Sequence, residues 1–158
     1  MPPVCNEEKL KTDNPNLSPS DLSTFLAKEK ALSISKNYPN SLVLGCDQIC
    51  LFNNRIFEKP GTTQNAINTL KELRSNEHFL IGSYVFVKNG DVISTKLIKT
   101  SMIMRDLTDQ EIHAYVDEDM PFNSCGSYMF EKNGYKLFKE TNGSLEAING
   151  LPFNELKE

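Results

Sequence analysis

The stretch Ser41-Leu42-Val43-Leu44-Gly45-Cys46-Asp47-Gln48 constrains this chain more than any other part of it. An apolar run of strand length that ends on a carboxylate sets one charge at the mouth of a sheet, where open α/β folds seat their ligands. Judged on the strand alone, Asp47 begins a turn or caps a neighbouring element. The residues predicted to surround it make it instead the first candidate for chemistry.

Features of the whole chain narrow the choice. At 158 residues it has the length of one domain with a proper core. A formal charge of −4 and a pI near 5.3 leave no basic footprint, which argues against duplex nucleic acid as a partner. Its four cysteines, Cys5, Cys46, Cys50 and Cys125, form no C-x-x-C pair and read as small buried hydrophobes of a reducing compartment. No apolar run reaches membrane-spanning length, and the Met-Pro-Pro start lacks the basic and apolar parts of a signal peptide. The expectation is a soluble, cytoplasmic protein without membrane contact. Arginine occurs only at positions 55, 74 and 105, so a phosphate site built from the first fifty residues has to use lysine or backbone amides.

Residues 1–17 show no periodicity and are expected to form a loop, with Asn6-Glu7-Glu8 as an acidic cluster within it. Ser18-Pro19-Ser20-Asp21 predicts a helix start, and the helix runs to about Ser35. Leu26, Ala27, Lys30, Ala31 and Ile34 share helical spacing, which places Lys30 on or beside the apolar stripe. Either its stem covers apolar surface while the ammonium reaches water, or the ammonium meets a phosphate or carboxylate at the sheet.

After the Asp47 strand, Leu51–Phe57 predicts a short hairpin around Asn53-Asn54. Lys59 then precedes a proline in a loop that enters a helix capped by Thr62 or Thr63, a suitable place for a phosphate-facing cation. Ala66, Ile67, Leu70 and Leu73 form that helix's buried stripe. From His78 to Met104 the pattern is β, turning at Asn89-Gly90, and His78 and His113 are too unlike a metal pair to argue for zinc. Thr108-Asp109-Gln110-Glu111 is a capping box for a third helix, with Ile112, Tyr115 and Val116 inward. Phe122–Glu131 is expected to pass from loop to strand, and a short terminal helix follows Asn149-Gly150-Leu151-Pro152.

Glu7 or Glu8, Lys30, Asp47 and Lys59 put two carboxylates and two ammonium groups on four separate elements. That set suits hydrolysis of a nucleotide polyphosphate, where cations offset phosphate charge and a carboxylate takes the proton of the attacking water. Carboxylate oxygens are hard ligands suited to magnesium or manganese.

These pieces carry a family resemblance over roughly Pro3 to the C-terminus. Leu26-Ala27-Lys28-Glu29-Lys30-Ala31, Gly45-Cys46-Asp47, Lys59-Pro60 with Ala66 and Leu70 behind it, and Gly150-Leu151-Pro152 together resemble the Maf family of nucleoside triphosphate pyrophosphatases. The resemblance implies a mixed α/β (α+β) fold with an elongated, curved mixed sheet flanked by helices, two lobes around a cleft, and commonly a homodimer. It implies divalent-metal-dependent cleavage between the α and β phosphates of a nucleoside triphosphate, yielding the monophosphate and pyrophosphate. Carried over by position, Asp47 is the proton acceptor and, with Glu7 (or Glu8), the metal-side carboxylate, while Lys30 and Lys59 contact phosphate.

Gln48 stands where the dTTP- and UTP-hydrolysing branch usually has threonine. Cys125-Gly126-Ser127-Tyr128 through Glu131 resembles the branch that hydrolyses 7-methyl-GTP, with Glu131 where the pyrimidine branch has glutamine. Gln48 and Glu131 are therefore the expected base-reading residues; the alternatives are the dTTP/UTP reaction or a non-catalytic nucleotide- or partner-binding remnant. The family's initial strand and Ser-x-Ser-x-Arg-Arg turn have no counterpart here. Residues 1–158 are thus expected to be a single Maf-like domain lacking its first strand and helix, about 25 to 35 residues at ordinary element lengths.

Overall fold

A computed structural model describes residues 1–157. Five strands form an open antiparallel sheet, accompanied by six helices. In chain order the elements are α1 (Glu7–Asp13), α2 (Pro19–Ser35), β1 (Leu42–Phe52), β2 (Arg55–Phe57), α3 (Thr63–Leu73), β3 (Glu77–Lys88), β4 (Asp91–Met104), α4 (Asp109–Asp119), β5 (Phe138–Asn142), α5 (Leu145–Ile148) and α6 (Phe153–Leu156). The sheet order is β2-β1-β3-β4-β5. Contacts divide the chain into two compact units, with the divisions falling inside β1, β3 and β4.

The first unit holds residues 1–48, 81–98 and those from Gly150 on. Ser18 caps α2 by accepting from the Asp21 amide at 3.2 Å, and Pro19 opens the helix as its sequence predicts. Its small side chains Ala27 and Ala31 pack with Val85 and Val87 of β3, joined by Leu32 and Val43. Gly45 makes this approach possible. A Cβ there would lie 2.0 Å from the Ala27 carbonyl oxygen and 2.8 Å from the Ala31 Cβ, so no larger residue leaves α2 where it is.

The second unit holds residues 49–80 and 99–149. α3 buries Ala66, Ile67, Leu70 and Leu73, and α4 buries Ile112, Tyr115 and Val116, the two stripes the periodicity predicts. They share one core with Cys50, Leu80, Met102 and Met104. The capping box of α4 forms as expected, with Thr108 and Glu111 each accepting from the other's amide. Asn53 and Asn54 both take positive φ, 50° and 59°, which makes the predicted turn between β1 and β2.

Three sequence expectations are corrected. Glu7–Asp13 is helical rather than loop: Asn6 accepts from the Lys9 amide, and Glu7 and Glu8 occupy the favourable first turn. No residue of α1 is buried, so it carries no apolar period to read. β1 does not stop at Asp47 but continues to Phe52, because Ile49 and Cys50 are buried and Cys50–Phe52 pair with β2. Phe122–Glu131 contains no strand. Gly126 and Ser127 have φ of 74° and 63° inside a 3-10 turn, which forbids extension, and the strand comes later as β5. Among the described residues no helix is long and apolar enough to cross a membrane.

His78 is completely buried, sharing a 2.8 Å hydrogen bond with the Tyr128 hydroxyl through Nε2, while its Nδ1 has no partner. Burial lowers its pKa from 6.5 to about 4. The unfolded chain therefore binds a proton that the folded chain refuses. Stability is full above the unfolded pKa and declines as pH falls from 6.5 towards 4, by up to about 3 kcal/mol from this group. Urea denaturation across that range should show the decline, and His78→Gln should flatten it.

Candidate active site

The phase of α2, set at Ser18, brings Lys30 beside the buried row that rests on Gly45. Its ammonium sits between two carboxylates, donating to Asp47 Oδ1 at 2.8 Å and lying 3.1 Å from Glu7 Oε1. The side chains are 17%, 9% and 43% exposed for Lys30, Asp47 and Glu7, so the charge is deepest at Asp47 and opens outward through Glu7. Beside Glu7 lies an open depression lined by Pro3 to Glu8. Of the two readings for a lysine on this helix face, the one that meets a carboxylate is observed.

Burial works hardest on Lys30 and favours its neutral form. The hydrogen bond and charge of Asp47, then those of Glu7, outweigh it and hold the ammonium above the ordinary lysine value. Asp47 Oδ2 is buried without a hydrogen-bond partner. One Asp47 oxygen is therefore committed to Lys30, and the other is available for a proton or a ligand.

Sequence reasoning missed the parts that hold this cluster. The Ser33 hydroxyl donates to the Lys30 carbonyl at 2.7 Å and accepts from the Val4 amide at 3.2 Å, fastening the segment before α1 to the helix that carries Lys30. A lone serine carries no signal of this in sequence. Ser23 Oγ reaches the Asp47 carbonyl at 3.4 Å. Cys5 lies close enough that, after burial, the Glu7 charge raises its thiol pKa further.

Glu8 is exposed on α1, leaving Glu7 as the acid that meets Lys30. Gln48 neighbours Asp47 on β1 but projects from the other face, its Oε1 3.9 Å from where a Cβ on Gly150 would stand. Lys59 and Glu131 belong to the second unit. Lys59 is exposed in a loop fixed by Gly61 N–H donating to the Phe122 carbonyl and by Asn65 Nδ2 donating to the Pro60 carbonyl. Glu131 is exposed in a turn held at Met129 by the Tyr115 hydroxyl and at Asn133 by the buried Asp119 carboxylate.

A divalent cation fits the donor chemistry of Asp47 and Glu7. Asp47 has an oxygen to spare, both residues offer hard donors, and magnesium characteristically takes one or two carboxylates and completes its shell with water and substrate phosphate. Among the described residues no group of three His, Cys, Asp or Glu could hold an ion alone. Substrate oxygens would have to complete such a site.

The family described as Maf-like protein matches residues 1–158, and the chain belongs to that family. Its relatives include a protein of Legionella pneumophila (strain Philadelphia 1), 35% identical over 156 residues that cover 99% of this chain and 78% of the relative. Another, from Rhodopseudomonas palustris (strain BisB5), is 37% identical over 137 residues, covering 85% of this chain and 68% of the relative. Both are named nucleoside triphosphate pyrophosphatase, which makes them hydrolases acting on acid anhydrides.

Removing the shared cation tests the cluster. Lys30→Met leaves a buried carboxylate unpaired and should destabilise the chain by about 3 kcal/mol in urea denaturation. Lys30→Met with Asp47→Leu should recover most of that loss, because the uncompensated charge goes as well.

Proposed function

We propose that this chain is a nucleoside triphosphate pyrophosphatase that hydrolyses the α–β phosphoanhydride of 7-methyl-GTP, releasing 7-methyl-GMP and pyrophosphate. One observation carries the reaction type: Lys30 held between Asp47 and Glu7, in a chain whose relatives are named for this activity. Water attacks the α phosphorus, Asp47 Oδ2 takes its proton, and the bond from that phosphorus to the bridging oxygen breaks as pyrophosphate leaves. Lys30 orients Asp47 through its hydrogen bond to Oδ1, and with Lys59 it offsets phosphate charge. A divalent cation held by Asp47 and Glu7 would neutralise charge on the phosphates when bound.

The choice of base rests on chemistry. The Glu131 carboxylate accepts from the N1–H and exocyclic amine of guanine, and its charge complements a ring made cationic by N7 methylation. Gln48, which projects from the other face of β1 towards Gly150, is not assigned to the base. The four thiols, none in a disulfide, fit a reducing cytoplasm, and the working assembly is a homodimer.

Pyrophosphate release from a panel of nucleoside triphosphates with magnesium or manganese tests the proposal. The expected result is highest kcat/KM on 7-methyl-GTP, turnover abolished by Asp47→Asn with little change in unfolding midpoint, and about tenfold weaker discrimination for the methylated purine in Glu131→Gln. Preference for dTTP or UTP would overturn the base assignment. Unchanged turnover in Asp47→Asn would remove Asp47 from the chemistry.

A further inference from the structure

The first nine residues of β4 present an edge that no strand of the described residues covers. β5, the neighbour on that side, pairs only from Ser101 to Met104, and it ends where a Cβ on Gly143 would already press on Thr100 at 2.5 Å. From there back to Asp91 no strand among the described residues pairs with this edge, although the Lys96 ammonium donates to the Glu155 carbonyl of α6. Val92, Ile93 and Leu97 are 43%, 59% and 46% exposed, and Asp91 through Thr95 are all exposed in succession. A long edge bearing apolar side chains is a template for another strand, and soluble proteins normally cover or blunt it.

The sequence of this edge is complementary to itself. Placing a second Asp91–Lys99 antiparallel to the first about a two-fold axis at Thr95 sets Asp91 opposite Lys99, Val92 opposite Ile98, Ile93 opposite Leu97 and Ser94 opposite Lys96. Each acid meets a cation and each exposed aliphatic meets another. Asp91, Ile93, Thr95, Leu97 and Lys99 alternate onto one face, so the matched pairs form a continuous row across both copies. A two-fold axis normal to the sheet keeps every residue on its own face, so only registers centred on a residue are available. Centring on Lys96 sets that lysine against its own copy, and centring on Ser94 sets Asp91 against Leu97. Thr95 is the centre that satisfies both charge and apolar pairing.

We infer that two copies of this chain associate edge to edge through Asp91–Lys99 of β4, antiparallel about Thr95, which continues the sheet from one subunit into the next. The inference gives a location to the homodimer proposed above and rests on that reading for the number of subunits.

Sedimentation equilibrium of the full chain, with and without Ile93→Lys, tests it. Ile93 is exposed, so the variant should keep the parent's thermal midpoint and its pyrophosphate-release rate per subunit while its dimer Kd rises about 30-fold or more, two contacts being lost at once. Thr95→Cys under mild oxidation should give a dimer linked through residue 95 of both copies, identified by peptide mass. A parent chain that stays monomeric would overturn the homodimer itself. A dimer indifferent to Ile93→Lys, or a Thr95→Cys chain that yields no such link, would overturn this location while leaving the two-subunit reading in place.

Discussion

A single ammonium group, inserted between two carboxylates from distant parts of the chain, is what the first unit is arranged around. Lys30 comes from α2, Asp47 from the middle of β1 and Glu7 from the first turn of α1, so one short-range contact ties three elements together. Such a cluster is costly to bury and stable only when each charge has its partner. The packing beneath it is correspondingly tight. Gly45 lets the backbone of α2 lie against β1, and that contact sets the height at which Lys30 meets Asp47.

The arrangement also explains why Asp47 has one free oxygen. Lys30 satisfies Oδ1, and no group among the described residues satisfies Oδ2, which is a poor solution for stability; in the proposed reaction that oxygen is the one that takes the proton. The second unit shows the opposite treatment of a buried acid: Asp119 uses both oxygens, on the Asn133 amide and side chain, and simply braces a turn.

Much of this was legible in the sequence, and the reasons for the rest are local. Ser18-Pro19, the Thr108 capping box and the Asn53-Asn54 turn are signals in which a few adjacent residues determine the geometry, and each forms as read. Lys30 was identifiable because a charge at an apolar spacing is conspicuous. α1 was not, since a helix that buries nothing leaves only its cap to be noticed. Asp47 was identified, but its place in mid-strand was hidden by alternation: Gln48 points away from the face that Asp47 occupies, so a polar pair need not end a strand. β5 escaped because an edge strand of five mostly polar residues carries no apolar pattern, and Ser33 because tertiary contacts leave no trace in local composition.

Asp47 and Glu7 hold Lys30 charged, and nitrogen-detected NMR of the lysine side chains measures this. One Nζ resonance, assigned through Lys30→Arg, should show slowed hydrogen exchange and titrate above the remaining lysines, and Asp47→Asn should bring it down. A Lys30 signal that exchanges and titrates with the solvent-exposed lysines, or below them, would show that the two carboxylates do not hold it.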